Sequence, residues 1–359
     1  IRDSQGTVQT PAGGQVYLVA PNVENHGVIT SPTGEVILAA GKSVELVQPA
    51  SPYVRVELSA PDNDAVNVGQ IVAQAGRVGI YGASIRNSGT VNASSASIDA
   101  QGRIFFRAKR DITLDSTSRL EADGPKGGSI VVQAESGTLL ADGTVYARGD
   151  SETGGAIHLL GERVGLIGHA DVDASGEKGG GAVLAGGGFQ GKNSEVQNAK
   201  RTFVGADASI KVDAGSAGNG GTAIVWADEL TRDYGSISAR GGAKSGNGGF
   251  VEVSGKRVLD FQGRVDATAA NGRAGTLLLD PTDITVVTAG ANATYAQVDE
   301  FADGDQSGGS KVSPATLDAA GATVILQAQN DITVTDAISL TTTPNANLTL
   351  QAGRSIAVN

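Results

Sequence analysis

The sequence predicts an all-β chain wound as a right-handed parallel β-helix, with three parallel sheets, about a dozen coils and loop or hairpin excursions. The first observation behind this expectation is a period. Anchor glycines Gly76, Gly102, Gly128 and Gly155 lie 26, 26 and 27 residues apart, and Gly221, Gly249 and Gly275 lie 28 and 26 apart. A fixed spacing of this size marks a repeat architecture. The second is alternation. Within one unit, residues 129–133, 137–141 and 143–147 each alternate apolar with polar residues, mostly Val, Ile and Leu, as half-buried strands do. The third is punctuation: each unit closes on a Gly-, Asn- or Asp-rich turn, and these residues recur too often for helix.

Three strands in about 26 residues cannot bury a core alone, but stacked units can. Each strand then lies about 4.8 Å from its equivalent in the next coil. The right hand follows from the usual chirality of parallel crossovers. A propeller blade needs a longer unit, roughly 40–45 residues, and antiparallel strands.

The 359 residues include 52 Gly, 4% aromatics, no Cys and no Met, which suits tight turns and a slim core. Without Cys there are no disulfides, thiolate nucleophiles or Cys-type metal sites. The net charge of −11 argues against nucleic acid or anionic lipid as a partner. No apolar run is long enough for a membrane helix, so no membrane insertion is expected. Both ends fall within the repeat pattern, so the expectation is an internal fragment of a longer protein.

In order, residues 1–75 read as irregular coils, with a hairpin within 51–75. Residues 76–287 read as regular coils with an enlarged, locally basic loop near 186–205. Residues 288–311 break the pattern as an excursion or hairpin. Residues 312–359 resume it, with LQAQNDITV and LQAGRSIAV echoing each other 24 residues apart.

Four consecutive blocks carry a resemblance. GGGFQGKN…NAKRTFVGADASI, GNGGTAIVWADELTRDYGSISARGG, GNGGFVEVSGKRVLDFQGRVD and GTLLLDPTDITV resemble the succession in large two-partner secretion exoproteins, the filamentous-haemagglutinin-like adhesins. The resemblance is close over about residues 180–285. It implies a β-helical rod exported by an outer-membrane β-barrel transporter, secreted to the bacterial cell surface and extracellular matrix. The implied role is adhesion or biofilm cohesion through exopolysaccharide or a host-cell surface. The family's N-terminal secretion domain is not recognisable, so the chain is expected to lie downstream of it. Ligand capture of one protein partner, as in haem acquisition, is the alternative; a polysaccharide-active enzyme is a third reading.

Candidate binding residues fall in three places. Arg148, Gly149 and Asp150 form an Arg-Gly-Asp tripeptide at a turn, which reads either as an integrin-binding signal or as chance in a chain rich in such turns. Trp226 is the single Trp. If Val225 faces the interior, Trp226 faces out and offers a sugar platform or lies under a loop; if Ile224 does, Trp226 is core. Lys192, Lys200 and Arg201 make the enlarged loop basic, either a binding element or a lid over an apolar strip. Acidic turns at Asp123, Asp150, Glu177 and Asp213 bring Ca²⁺ into consideration, but tight turns explain the same composition and the nonapeptide Ca²⁺ repeat is absent. Asp171 and Asp173 face outward together, and His158 is expected to face solvent. No catalytic, cofactor or metal residue is assigned, and no enzyme is expected.

Overall fold

The recurring glycines stack on one another. In the computed structural model, the N–H after each anchor donates to the carbonyl of the anchor one coil earlier: Arg103 to Gly76, Ser129 to Gly102, Ala156 to Gly128 and Thr276 to Gly249. A Cβ on Gly128 would lie 2.3 Å from the Gly102 oxygen, and one on Gly155 2.1 Å from the Gly128 oxygen. Glycine is required here because two backbones touch. The structure describes residues 2–3, 6–41, 43–46, 54–57, 64–288, 301 and 309–359.

Three parallel ladders result. The first runs from Gln15–Ala20 through Glu35–Ala40, Arg77–Gly82 and Arg103–Ala108, then by way of Thr222–Ala227 and Phe250–Gly255 to Leu348–Ala352. The second runs from Arg2–Asp3 through Val23–Asn25, Asp64–Asn67 and Ser84–Asn87 to Ser355–Val358. The third runs from Thr7–Gln9 to Arg264–Asp266. Register places like on like, so Val78 lies between Val36 and Ile104. Alternation then sends one side of every strand inward: Ile104, Phe106 and Ala108 join Ile130, Val132 and Ala134 in one continuous core. A fully buried Ile or Leu there stabilises by about 1.5–3 kcal/mol.

The departures from the expected pattern have local causes. Residues 129–133 and 137–141 belong to one bent strand, Ser129–Ala141, because Glu135, Ser136 and Gly137 round the corner without leaving the extended conformation. A hairpin does leave the early coils, but its antiparallel strands are Ser43–Leu46 and Val54–Glu57, ahead of the expected 51–75. It is inserted between two ladders, which rejoin in register at Asp64–Asn67. Residues 289–300 and 302–308 of the expected excursion lie outside the described residues; at its end Ser310–Val312 is a parallel strand against Ile284–Val286. A short α-helix, Pro314–Ala319, was not anticipated. Ser313 caps it by accepting the Thr316 N–H, with Pro at the first position, a recognised start signal. The helix packs beside Arg264–Asp266, the last strand of the third ladder, and inserts Leu317 into the core.

One interior row is polar. Asn25, Asn67 and Asn87 are fully buried. Asn25 Nδ2 donates to Asn67 Oδ1 at 2.7 Å and Asn67 Nδ2 to Asn87 Oδ1 at 2.7 Å. Asn87 Nδ2 donates onward to Ser118 Oγ and to the Gly89 carbonyl. The row continues as Leu114, Ala141, Leu166 and Val204, then Asp233, then Phe261. Asp233 Oδ1 accepts the Gly235 N–H, but Oδ2 has no partner among the described residues. Burial pushes its carboxyl up to about 7.

Candidate functional site

The turns that follow the third ladder carry the densest outward-facing chemistry. Stacking continues past the strand ends, with Gly124, Gly149 and Gly176 joined by parallel bridges and Gly176 bridged to Ala214. Just before these small residues lies an outward row: Asp123, Arg148, Ser175, Asp213, Arg240 and Thr268. Two members are built alike. The Arg148 N–H donates to Asp123 Oδ1 at 2.7 Å, while its Nε and Nη2 donate to Oδ2 at 3.1 and 2.6 Å. Arg240 repeats this on Asp213 at 2.7, 3.1 and 2.6 Å. Each guanidinium is thus clamped along one edge by charge-assisted bonds. The Arg148 guanidinium also sits 4.3 Å from the centroid of the Tyr146 ring.

Beside this row, Asp171 accepts from Tyr146 Oη at 2.6 Å, Ser209 Oγ at 2.6 Å and Lys211 Nζ at 2.9 Å. Burial opposes its ionisation, but these three donors outweigh burial and hold the carboxyl below the usual range. Burial and the bond to Asp171 push the Tyr146 hydroxyl up to about 12. Between the rows runs an open groove of about 840 Å³ that crosses successive coils from Arg148 to Ala270. Its charged margin is Arg148, Lys211 and Arg240 against Asp150, Asp173, Glu177 and Asp213.

The Arg-Gly-Asp tripeptide is part of this groove. Arg148 is engaged with Asp123, Gly149 is buried in a bridge between Gly124 and Gly176, and Asp150 is exposed. The tripeptide is held in the stack of turns by the bridges of Gly149, and all three of its residues line the one groove.

The enlarged loop is a strap, held down along its length. Val225 faces the interior, so Trp226 faces outward, yet it is only 2% exposed. Glycines of the strap cover it: a Cβ on Gly187 or Gly191 would lie 2.6 Å from the indole. The Trp226 Nε1–H donates to Asp228 Oδ1 at 3.1 Å. Phe189 packs edge-on against Phe250, with centroids 5.8 Å apart. The Gln190 N–H donates to the buried Glu252 carboxylate, and Gln190 Nε2 reaches Asp280 Oδ2 at 2.9 Å. At the other end, Gln197 Nε2 donates to the carbonyls of Ala134 and Glu135. Burial pushes the Glu252 carboxyl up to about 7 and raises that of Asp280.

The seven candidate residues therefore do not converge. Arg148, Gly149 and Asp150 line the turn groove, whereas Trp226 and Lys192 line a smaller recess of about 320 Å³ beneath the strap. The basic character of the strap is largely neutralised, because Lys200 pairs with Glu162 at 2.6 Å and Arg201 with Glu229 at 3.5 Å. Asp171 and Asp173 flank the buried Val172 and point outward together, as expected. His158 lies on the outer face but is half-buried, and desolvation lowers its pKa. Among the described residues no three His, Asp or Glu side chains gather as metal ligands, and Asp123 and Asp213 are engaged by arginines. The sequence reading missed Lys211 and Arg240. The recurrence of Ala-Arg-Gly at Ala147–Gly149 and Ala239–Gly241 was the available signal.

No family model matches the sequence, and no curated protein matches it. Among solved structures, the chain is similar to the crystal structure of the HMW1 secretion domain from Haemophilus influenzae, with 31% identity and a TM-score of 0.51. The match covers 76% of this chain and 64% of that one. That neighbour is itself a secretion domain, so the likeness lends no support to a position downstream of such a domain. Taken with the three parallel ladders, it supports a parallel β-helix as the fold of this chain.

Proposed function

We propose that this chain is a rod-like part of a secreted, non-enzymatic adhesin. It is exported by an outer-membrane β-barrel transporter and acts at the bacterial surface and in the extracellular matrix. Its task is attachment or matrix cohesion through exopolysaccharide or host-surface contacts. The observation that carries this reading is the turn groove, where the same Asp–Arg clamp is built twice, at Asp123–Arg148 and Asp213–Arg240, along one continuous stack of turns. Contacts that are weak singly become strong when repeated along such a scaffold. Capture of one protein partner would call for a projecting loop; the strap at 186–199 is bonded flat to the ladder at both ends, so that reading would have to fall on the early hairpin of Ser43–Leu46 and Val54–Glu57.

The test is attachment of the purified chain to surfaces coated with exopolysaccharide and to host cells, with and without EDTA and with a competing Arg-Gly-Asp peptide. Saturable attachment is the expected result. Absence of attachment to every surface overturns the reading. Loss on adding EDTA assigns a role to a divalent cation, and loss on adding the peptide moves recognition to an integrin.

A further inference from the structure

We propose that the turn groove holds a neutral, extended glycan chain laid along the rod axis, with about one sugar ring for each coil. The inference rests on the adhesin reading and gives it a site and a ligand chemistry.

The first support is geometric. Successive coils lie about 4.8 Å apart, which is close to the length of one sugar ring with its bridging oxygen in an extended chain. A glycan running parallel to the axis therefore meets the same kind of turn at each step. The groove is open along its length, and its floor is largely backbone, supplied by Gly149, Gly176, Gly215, Gly241, Ala243 and Ala270. The N–H groups of Gly149, Gly176, Gly215, Gly241 and Ala243 already donate to other coils, so the floor offers a flat peptide surface on which a ring can lie, and the polar contacts fall to the margins.

The second support is the state of the arginines. Arg148 and Arg240 are each held by an aspartate through Nε and Nη2. Neither Nη1 hydrogen-bonds within the described residues. Each clamp thus leaves the two N–H groups of Nη1 fixed in direction beside carboxylate acceptors, an arrangement suited to hydroxyl groups. The donors are oriented before binding, so little side-chain freedom is lost on contact.

The third support is charge. All three cations of the groove are in ion pairs: Arg148 with Asp123, Lys211 with Asp171 and Arg240 with Asp213. Asp150, Asp173 and Glu177 add further acid to the lining, on a chain of net charge −11. A polyanionic glycan would meet repulsion here, whereas a neutral one exchanges hydroxyl–water bonds for bonds to the locked ion pairs.

The experiment is calorimetric titration of the purified chain with neutral β-linked oligosaccharides of increasing length. Affinity should climb to about five sugars, one for each coil from Arg148 to Ala270, and then level off. It should change little with salt, since no counterions are released. Arg148→Ala and Arg240→Ala should each weaken binding about tenfold, the equivalent of one hydrogen bond to a charged group. Ala243→Trp, at an exposed groove position outside every ion pair, should abolish binding while circular dichroism stays unchanged. The inference is overturned if no neutral oligosaccharide binds, if Ala243→Trp binds normally, or if acidic or cationic chains bind with steep salt dependence. If Ala243→Trp still attaches to surfaces as the parent does, this inference fails and the adhesin reading stands. If the parent attaches to nothing, the adhesin reading itself fails.

Discussion

At one corner of the coil, facing the interior, the early part of the chain places asparagines and a later coil places an aspartate. The asparagines stand in adjacent coils, so each amide donates to the carbonyl oxygen of the next, and the row is satisfied by repetition of itself. Asp233 keeps the local device, a side-chain oxygen accepting the N–H two residues on, as Asn25 does for Gly27. Its coil neighbours, however, are Val204 and Phe261. A carboxylate there has no donor above or below, and burial holds it protonated up to about 7. The difference teaches that a polar group in this interior is stabilised by its equivalent in the adjoining coil more than by its own turn.

Removing the middle rung tests this most severely. Asn67→Leu leaves Asn25 Nδ2 without its acceptor and Asn87 Oδ1 without its donor, so about 3 kcal/mol of stability should be lost. Hydrogen exchange should rise in the flanking coils around 23–30 and 84–92 and stay unchanged in coils beyond residue 220. Unchanged protection near residue 25 would break the comparison.

Asp233→Asn should act in the other direction and depend on pH. The fold binds the Asp233 proton more tightly than the unfolded chain does. Stability therefore falls as pH rises from the ordinary carboxylate range, near 3.8, to about 7. At about pH 8 the neutral amide should stabilise by roughly 2 kcal/mol, after allowing for an unpaired Nδ2. At about pH 4 the gain should vanish. Urea titrations of both proteins at the two pH values decide the matter, and a gain that persists in acid counts against the buried charge as its source.

The strap offers a milder case, because the Glu252 carboxyl is also pushed up to about 7, but from a higher ordinary value, and it receives the Gln190 N–H. Glu252→Gln should raise stability at about pH 8 by roughly 1 kcal/mol, read as slower exchange of the strap amides. The smallest effect belongs to Gln190→Asn. Gln190 has a φ of 52°, which Asn tolerates, but the shorter side chain falls short of Asp280. About 0.5–1 kcal/mol should be lost, with faster exchange confined to 186–199.

Much of the fold was legible because its cause is periodic. Anchor glycines are forced by backbone contact between coils, so their spacing records the coil length directly. The inward residues were legible where they are apolar. The interior asparagines were not, although Asn25, Asn67 and Asn87 each precede a glycine by two residues; asparagine before glycine reads equally as a surface turn. The groove was half legible. Arg148 drew notice through its tripeptide, but the value of Arg240 depends on Asp213, which lies 27 residues earlier and meets it only through stacking. Nor does sequence show whether a long loop projects or folds back. That depends on Gln190 finding partners 62 and 90 residues away.

The flat course of the strap has a consequence for tension. In a stack of this kind, the bonds between coils point along the axis, so a pull on the two ends loads every coil junction in series. The strap crosses several of those junctions, from Ala134 to Asp280, and ties them in parallel with the ladders. Under load, coils outside that span should part first, leaving the strapped segment as the last to give way.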